Sequence, residues 1–323
     1  MTILRLLADD LTGALDSAAR FVPLVGTITV VWSGLPPAGS VAIDNGTRDL
    51  PPTLFKAAAS QWLNAFDGAD IAFMKIDSLL RGHVAEALVA ALPGFDHCIA
   101  APAFPFQNRI TRAGRQWVRD GESWRSVGPL ALPVPLRDAE TEADLDAIVR
   151  QGLGLSGRVL WVGTGGLAGA LAGHQPVPCP PLPSPILALI GTDHPVTQRQ
   201  LTVAAAWHRQ VDDKAPLAYP AALTVALPSG TPREIAGARI VRRFAETLSR
   251  PPRPGTLFVT GGATLRGLCD ALGATSLLVD GEIEPGVPMS ILQGGDWHGQ
   301  RIVSKSGAFG APDLLMRLLG AAG

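Results

Sequence analysis

The stretch ILRLLADDLTGALDSAARFV, residues 3–22, decides the fold class of this chain. An apolar, strand-like run over residues 3–8 ends at two aspartates, and a helix-like pattern follows over residues 12–22. The same order of strand, polar turn and helix recurs along the sequence. Such alternation is typical of an α/β protein whose mostly parallel sheet is covered by helices.

Short β-prone runs and helix-like stretches alternate through both halves of the chain. We predict strands over residues 3–8, 28–32, 41–43, 71–75, 97–101, 159–162, 186–190, 257–260 and 277–279. We predict helices over residues 12–22, 52–66, 84–92, 142–151, 195–209, 265–272 and 311–319. The predicted fold is therefore α/β, with two domains that each contain a mostly parallel sheet flanked by helices.

The most proline-rich stretch, residues 176–185, interrupts this alternation and is typical of a semi-rigid connector. A chain of 323 residues is also long enough for about two domains. We predict a first domain over residues 1–178, a linker over 179–185 and a second domain over 186–323.

Composition excludes several classes of function. The net charge is −1 and only 17% of residues are charged, so we expect no basic surface that holds nucleic acid. Residues 159–192 carry no charged side chain, but glycines and prolines interrupt them, and we predict no membrane span. The three cysteines form no CxxC pair and the N-terminus lacks a signal-peptide pattern, which favours a reducing, cytoplasmic location.

Polar residues follow the predicted strands of the first half, at the sheet edge where parallel sheets bind ligands. Asp9 and Asp10 follow the first strand; a helix cap accounts for one aspartate, and the other could bind a polyol, a metal or a proton. The third, fourth and fifth strands are followed by Arg48, Lys75, Asp77, Ser78, Arg81, Gly82 and Arg109. Arginines bind carboxylates and phosphates in a bidentate manner, so these residues predict a cationic pocket for an acidic metabolite. Solvated surface turns are the alternative.

The second half contains three glycine-rich turns, two of which link a predicted strand to a helix, while the third lies near the end of the chain. They read GTDHPVT from Gly191, TGGAT from Thr260 and SKSGAFG from Ser304. Backbone amides in such turns approach phosphates closely, although none of the turns is a Walker A motif. The chain has only four lysines, and two of them, Lys75 and Lys305, lie in these candidate ligand loops. The second half therefore predicts a phosphate-binding domain.

The segment GTGGLA at residues 163–168 matches a dinucleotide-binding pattern and raises a second possibility, a nicotinamide oxidoreductase. That pattern needs an acidic residue about 20 positions later for the ribose. No Asp or Glu occurs between Asp146 and Asp193, so a tightly packed turn is the better interpretation. No histidine pair has ligand spacing, and the sequence does not identify metal ligands.

Taken in order, the motifs ADDLTGA, KIDSLLRG, PAFPFQNRIT, GTDHPVTQRQ, TGGAT and SKSGAFG resemble the four-carbon acid sugar kinase family over nearly the whole chain. The resemblance implies an N-terminal domain that binds a sugar acid and a C-terminal domain that binds ATP. It places Asp9, Asp10, Arg48, Lys75, Asp77, Ser78, Arg81 and Gly82 against the sugar acid. It places Thr192, His194, Gly261, Gly262, Ala263, Thr264, Lys305, Gly307 and Gly310 against the nucleotide.

The resemblance implies transfer of the γ-phosphoryl group of ATP, with Mg²⁺, to the terminal hydroxyl of a tetronate or 3-oxo-tetronate. Asp9 or Asp10 is the expected base, with Asp77 as the second candidate, and a homo-oligomer is possible. This chain is shorter than most members, partly between Gln200 and Gly255, and Ala263 replaces a polar or acidic residue. The alternative is therefore an inactive protein that still binds sugar acid and nucleotide.

Overall fold

Strands and helices alternate in the computed structural model, which describes residues 2–34, 36–62, 64–128, 131–211 and 217–320. The chain divides into two units, Met1–Pro178 and Cys179–Gly323. Each unit contains a mostly parallel sheet with helices, which confirms the predicted fold class.

The first unit is built on a six-stranded parallel sheet with the order β2-β3-β1-β4-β9-β5. The strands of this unit are β1 (Leu4–Ala8), β2 (Ile28–Val31), β3 (Val41–Asp44), β4 (Ile71–Lys75), β5 (His97–Ala101), β6 (Arg109–Arg112), β7 (Arg115–Asp120), β8 (Ser123–Ser126) and β9 (Val159–Gly163). Strands β6, β7 and β8 form a separate antiparallel sheet. In the parallel sheet Ala8 pairs with both Asp44 and Lys75, so the carboxyl ends of β3, β1 and β4 are level with one another.

The helices of the first unit are α1 (Leu11–Val25), α2 (Pro52–Ser60), α3 (Val84–Ala91), α4 (Glu142–Leu153) and α5 (Gly165–Leu171). Helix α1 is almost completely buried, and its Phe21 meets Phe73 of β4 edge-to-face at 5.4 Å. Thr141 begins α4 with a capping box, in which its hydroxyl accepts from the Asp144 amide and Asp144 accepts from the Thr141 amide. The buried contacts of α1 with the sheet therefore hold the start of this helix close to the end of β1.

The second unit contains β10 (Ile186–Ile190), β11 (His208–Gln210), β12 (Ala221–Thr224), β13 (Thr256–Thr260), β14 (Ser276–Glu282), β15 (Pro288–Gln293) and β16 (Arg301–Lys305). The order is β11-β12-β10-β13-β16-β15-β14; the first five strands are parallel, and β15 and β14 are antiparallel. The helices are α6 (Pro195–Val203), α7 (Arg233–Leu248), α8 (Gly262–Ala271) and α9 (Leu314–Gly320). The parallel part brings the ends of β10, β13 and β16 side by side.

Two predicted helices are too long. The helix predicted over residues 195–209 ends at Val203, because His208–Gln210 pairs with β12 as strand β11. Alanines favour a helix there, but pairing within the sheet overrides that local preference. The helix predicted over residues 52–66 ends at Ser60, and its predicted span includes Leu63, which lies outside the described residues.

The predicted elements do not include the antiparallel sheet of β6, β7 and β8, the long helix α7, or strands β11, β12, β15 and β16 of the second unit. Strands β6 and β7 are joined by Ala113 and Gly114, which both have positive φ, at 51° and 68°. Alanine rarely adopts this conformation, so the sequence AG is a weak hairpin signal compared with NG or DG.

Candidate active site

The aspartates at the end of β1 have different environments. Asp10 is the N-cap of α1: its Oδ1 accepts from the Gly13 amide at 3.0 Å and its Oδ2 accepts from the Thr12 hydroxyl at 2.6 Å. Asp9 lies one residue earlier and accepts from Arg48 instead. Capping therefore accounts for Asp10, and Asp9 is committed to an ion pair.

Arg48 joins the two aspartates. Its Nε lies 3.0 Å from Asp9 Oδ2 and its Nη2 lies 2.6 Å from Asp9 Oδ1, while Nη2 also lies 2.7 Å from Asp10 Oδ1. Burial opposes the charge of Arg48, but the carboxylates of Asp10 and Asp9 outweigh it and raise the pKa of this guanidinium. Burial raises the pKa of Asp9 above its ordinary value, and the charge of Arg48 works against that rise. The pair is a permanent cation beside a carboxylate that holds a proton more readily than usual.

Asp77 organises the loop after β4. Both of its oxygens accept from the Arg81 guanidinium at 2.8 Å, and Oδ2 also accepts from the amides of Leu79 and Arg81. Burial would raise the pKa of Asp77, but the hydrogen bonds from Arg81 and the charge of Arg48 lower it far below its ordinary value. Asp77 is therefore a firmly ionised carboxylate that shapes the loop and orients Arg81.

Two glycines allow this close packing. A Cβ on Gly13 would lie 2.5 Å from Asp10 Oδ1 and 3.0 Å from the ammonium of Lys75. A Cβ on Gly82, whose φ is 83°, would lie 3.1 Å from Asp9 Oδ2 and 3.4 Å from Arg48 Cα. Lys75 is buried, and its ammonium donates to the Ile76 carbonyl at 2.8 Å. Lys75, the aspartates and Arg48 therefore form one compact cluster.

Arg109 and Ser78 lie close to Asp77 of this cluster. Arg109 is the first residue of β6, not a solvated loop residue, and burial lowers its pKa while the nearby Asp77 opposes that shift. Ser78 is buried, and its carbonyl accepts from Gln116 Nε2 at 3.0 Å. The sugar-acid residues predicted from the sequence are thus brought together in the first unit. The four cations Arg48, Lys75, Arg81 and Arg109 exceed the three carboxylates Asp9, Asp10 and Asp77 by one charge. Such a cluster favours an anion.

In the second unit the three predicted glycine turns follow the neighbouring strands β10, β13 and β16. Thr260 of β13 pairs with both Ile190 and Lys305, so the turns begin at the same level. Gly191 is required at the first turn because a Cβ there would lie 1.9 Å from the hydroxyl oxygen of Thr264. Contacts between the turns therefore bring together the residues predicted to face the nucleotide.

The start of α8 is suited to an anion. Its N-cap is Gly261, which has a φ of 104° and offers no side-chain acceptor, so the amides of Gly262, Ala263 and Thr264 have no side-chain cap. The N-terminus of a ten-residue helix carries partial positive charge and attracts phosphate oxygens. By contrast α6 is capped within the protein, since the Val196 amide donates to His194 Nδ1 at 3.2 Å.

Lys305 differs from the expectation of an ammonium that faces the nucleotide. Its side chain is only 1% exposed, and Nζ donates to the hydroxyl oxygen of Thr197 at 2.9 Å and to the Ser306 carbonyl at 3.2 Å. Burial lowers the pKa of Lys305 to about 7, and the charge of Glu284 opposes that shift. Gly307 lies against Thr192 and His194, where a Cβ would be 2.8 Å from the Thr192 hydroxyl oxygen.

The glycines of GTGGLA, residues 163–168, pack closely against other atoms of the protein. Thr164 caps α5, and a Cβ on Gly166 would lie 2.6 Å from the Ala103 carbonyl oxygen. A Cβ on Gly163 would lie 2.7 Å from the Ala101 carbonyl oxygen. These contacts are those of a tightly packed strand-to-helix turn.

Sequence reasoning missed four buried or half-buried polar residues near these loops: Gln116, Thr197, Gln200 and Glu284. Thr197 and Gln200 lie three residues apart on α6, so they share one helix face, and that spacing was a usable signal. Gln116 and Glu284 belong to segments whose pairing the sequence did not reveal. Among the described residues, no group of three or more His, Cys, Asp or Glu side chains could hold a metal ion. No helix in the described ranges is both long and apolar enough to cross a membrane.

Fold and site together define a two-unit α/β protein with a charged cluster of arginines, Lys75 and aspartates in one unit and three adjacent glycine-rich turns in the other. Two family models match the chain: a sugar-binding N-terminal domain over residues 4–131 and a nucleotide-binding C-terminal domain over residues 185–315. The chain belongs to the four-carbon acid sugar kinase family, as the motifs predicted.

Individual relatives match the whole chain or part of it. A D-threonate kinase of Cupriavidus necator is 30% identical, over 96% of this chain and 95% of that one. A 3-oxo-tetronate kinase of the same organism is 36% identical over 159 residues, 42% of this chain and 35% of that one. A solved structure from Salmonella typhimurium LT2 has a TM-score of 0.70 at 20% identity, over 97% of each chain, and shows the same fold.

Proposed function

We propose that this protein is an ATP-dependent kinase that phosphorylates the terminal hydroxyl of a four-carbon sugar acid, a tetronate or 3-oxo-tetronate. The observation that carries the proposal is the cluster at the carboxyl ends of β1, β3 and β4. It combines fixed carboxylates with an excess of cationic side chains. A relative matched over nearly its whole length is named D-threonate kinase, and one matched over 159 residues is named 3-oxo-tetronate kinase.

Arg81 is our first candidate for the substrate carboxylate. Its side chain is 58% exposed, although Asp77 fixes its Nε and Nη2, so its remaining Nη1 is available to a ligand. Arg48, Lys75 and Arg109 surround the same cluster and lie deeper. A carboxylate bound there would neutralise the one excess positive charge, which gives the pocket a reason to prefer a sugar acid over a neutral sugar.

Asp9 or Asp10 is the proposed base for the attacking hydroxyl. The raised pKa of Asp9 favours proton acceptance, whereas the strongly lowered pKa of Asp77 makes that carboxylate a poor base. Asp77 is therefore assigned to hold Arg81, and Ser78 and Gly82 are assigned to the wall of the pocket. Asp10 can orient a hydroxyl while it caps α1.

The second unit offers a binding place for nucleotide phosphates. The uncapped start of α8, Gly261, Gly262, Ala263 and Thr264, fits an anionic group, and Thr192, His194, Gly307 and Gly310 lie in the adjacent turns. Bound Mg-ATP supplies the phosphoryl group, and Mg²⁺ commonly takes one or two carboxylates together with phosphate oxygens and waters. Asp193, an exposed carboxylate in the β10–α6 turn, is available to such an ion.

An inactive protein that binds sugar acid and nucleotide is the second candidate, and chain length motivates it. The alignment with the D-threonate kinase runs over 407 positions, so that relative carries segments which this 323-residue chain lacks. Ala263 occupies the exposed first turn of α8, where it contributes an amide but no polar side chain.

A thermal-shift screen of four-carbon sugar acids, with and without Mg-ATP, tests the proposal. A ligand that binds only the folded state raises the melting temperature by mass action. We expect a shift with at least one sugar acid and a separate shift with millimolar Mg-ATP. No shift with ATP at that concentration would count against the kinase, and shifts with both ligands but no ADP formation would favour the inactive protein.

A further inference from the structure

The carbonyl groups of the loop after β16 are bound from one side by three buried side chains. Lys305 Nζ donates to the Ser306 carbonyl at 3.2 Å and Thr197 Oγ1 donates to the Gly307 carbonyl at 2.8 Å. Gln200 Nε2 shares its two hydrogens among the carbonyls of Phe309, Gly310 and Ala311, at 3.2, 3.0 and 2.9 Å. Nearly every peptide of the loop is thus oriented by a side chain of α6 or by Lys305.

Peptide geometry then determines where the amides point. In a trans peptide the N–H lies opposite the C=O, and no cis bond occurs in residues 306–311. Because the carbonyls point to Lys305, Thr197 and Gln200, the amides of Gly307, Ala308 and Gly310 are turned away from those side chains. The Ala311 amide, oriented in the same way, donates to Glu284 Oε1 at 2.7 Å. This side of the loop already binds one carboxylate.

We infer that Thr197 and Gln200 are positioning residues for the nucleotide site, and that Lys305 acts with them from inside the protein and not as a phosphate ligand. The inference rests on the proposed function for the identity of the anion. Thr197 connects Lys305 to the loop, because its hydroxyl accepts from Lys305 Nζ at 2.9 Å and donates to the Gly307 carbonyl. Thr197 and Gln200 are both fully buried, so neither can reach a ligand without a change in the loop.

The test compares Thr197→Val with Thr202→Val. Both substitutions remove a hydroxyl from α6, but Thr202 is exposed and its hydroxyl donates only to the Gln198 carbonyl of its own helix. We measure MgADP affinity and sugar-acid affinity by calorimetry, and amide hydrogen exchange over residues 306–311. Thr197→Val should weaken MgADP binding about tenfold, the effect of one lost buried hydrogen bond. It should also speed exchange in the loop and leave sugar-acid affinity unchanged.

In turnover the same variant should raise KM for ATP more than it lowers kcat, and Thr197→Ser, which restores the hydroxyl, should recover wild-type values. Gln200→Met removes all three donations from a side chain of similar volume and should show the same pattern. If Thr197→Val does not fold, Gln200→Met provides the same test.

Wild-type MgADP affinity together with wild-type exchange in both Thr197→Val and Gln200→Met would overturn the inference. If the wild-type protein itself bound no nucleotide, the proposed function would fall. The exchange comparison would then still decide whether these two side chains hold the loop: faster exchange over residues 306–311 supports the inference, and unchanged exchange overturns it.

Discussion

Arg48 donates two hydrogen bonds to the carboxylate of Asp9, with Nε 3.0 Å from Oδ2 and Nη2 2.6 Å from Oδ1. The pair joins the loop after β3 to the end of β1, and the Arg48 amide also donates to the Asp9 carbonyl at 3.1 Å. A planar guanidinium is the only side chain that can make both contacts at once. The orientation of the predicted base is therefore set by a residue 39 positions away.

Substitutions of Arg48 test its positive charge and its two-point contact with Asp9 separately. Arg48→Lys keeps a cation but loses the two-point contact, and we expect kcat/KM for the sugar acid to fall about tenfold to a hundredfold. Arg48→Met also leaves two neighbouring carboxylates without their cation, and it should destabilise the fold by about 3 kcal/mol. Denaturant unfolding and steady-state kinetics measure the two effects. Wild-type kinetics in Arg48→Lys would show that the bidentate contact is unimportant.

Asp10→Asn should remove the chemistry and retain the helix cap. Asparagine caps helices as well as aspartate does, so the cap should survive, but loss of the charge 2.7 Å from Arg48 Nη2 should cost about 1–3 kcal/mol of stability. Turnover should nevertheless fall by orders of magnitude, with nucleotide binding retained. Asp10→Ala serves as the comparison, because it removes the cap as well and should cost about 1 kcal/mol more stability than Asp10→Asn. Unchanged turnover in Asp10→Asn would leave Asp9 as the remaining candidate base.

The buried ammonium of Lys305 predicts a pH dependence of stability. Its pKa is lowered from 10.5 in the unfolded chain to about 7 in the fold, so between these values the unfolded chain binds more protons. The contribution of Lys305 to stability is therefore complete above about pH 10.5 and is lost as the pH falls to about 7. Between pH 7 and pH 9 the melting temperature of the wild type should rise more than that of Lys305→Met. Equal rises would contradict the lowered pKa.

Two glycine-to-alanine substitutions in the second unit should have opposite effects. Gly191→Ala places a methyl group 1.9 Å from the Thr264 hydroxyl oxygen, and we expect destabilisation of about 1–3 kcal/mol with weaker nucleotide binding. Gly237 lies inside α7 with no atom within 4 Å of the added Cβ, so Gly237→Ala should stabilise by about 0.5–1 kcal/mol. Calorimetric unfolding of both variants measures these changes in stability. A stable Gly191→Ala would mean that the β10 and β13 turns can separate.

Local patterns were sufficient for the six parallel strands of the first unit, for three of the seven strands described in the second, and for the polar residues at the sheet edge. A short apolar strand followed by charged residues or glycines marks the end of β1, β4, β10 and β13, and parallel pairing places such ends together. The family resemblance added the expected ligands, a sugar acid for the first unit and a nucleotide for the second.

The hydrogen-bond and ion-pair partners of individual side chains could not be predicted from local sequence patterns. Whether Lys305 faces a ligand or Thr197 depends on the position of α6, which the sequence of β16 does not encode. The buried state of Arg109 depends on strand β6, whose AG turn gave a weak signal. The different environments of Asp9, Asp10 and Asp77 likewise depend on Arg48 and Arg81.

Phosphoryl transfer itself is the central claim, and ³¹P NMR of the purified protein with Mg-ATP and a panel of four-carbon sugar acids tests it most directly. We expect ADP to appear together with a phosphate monoester on the terminal hydroxyl of at least one tetronate or 3-oxo-tetronate, and both products to form far more slowly with Asp10→Asn. Sugar acid and nucleotide that both bind, with no ADP and no phosphate ester from any acid in the panel, would contradict the account.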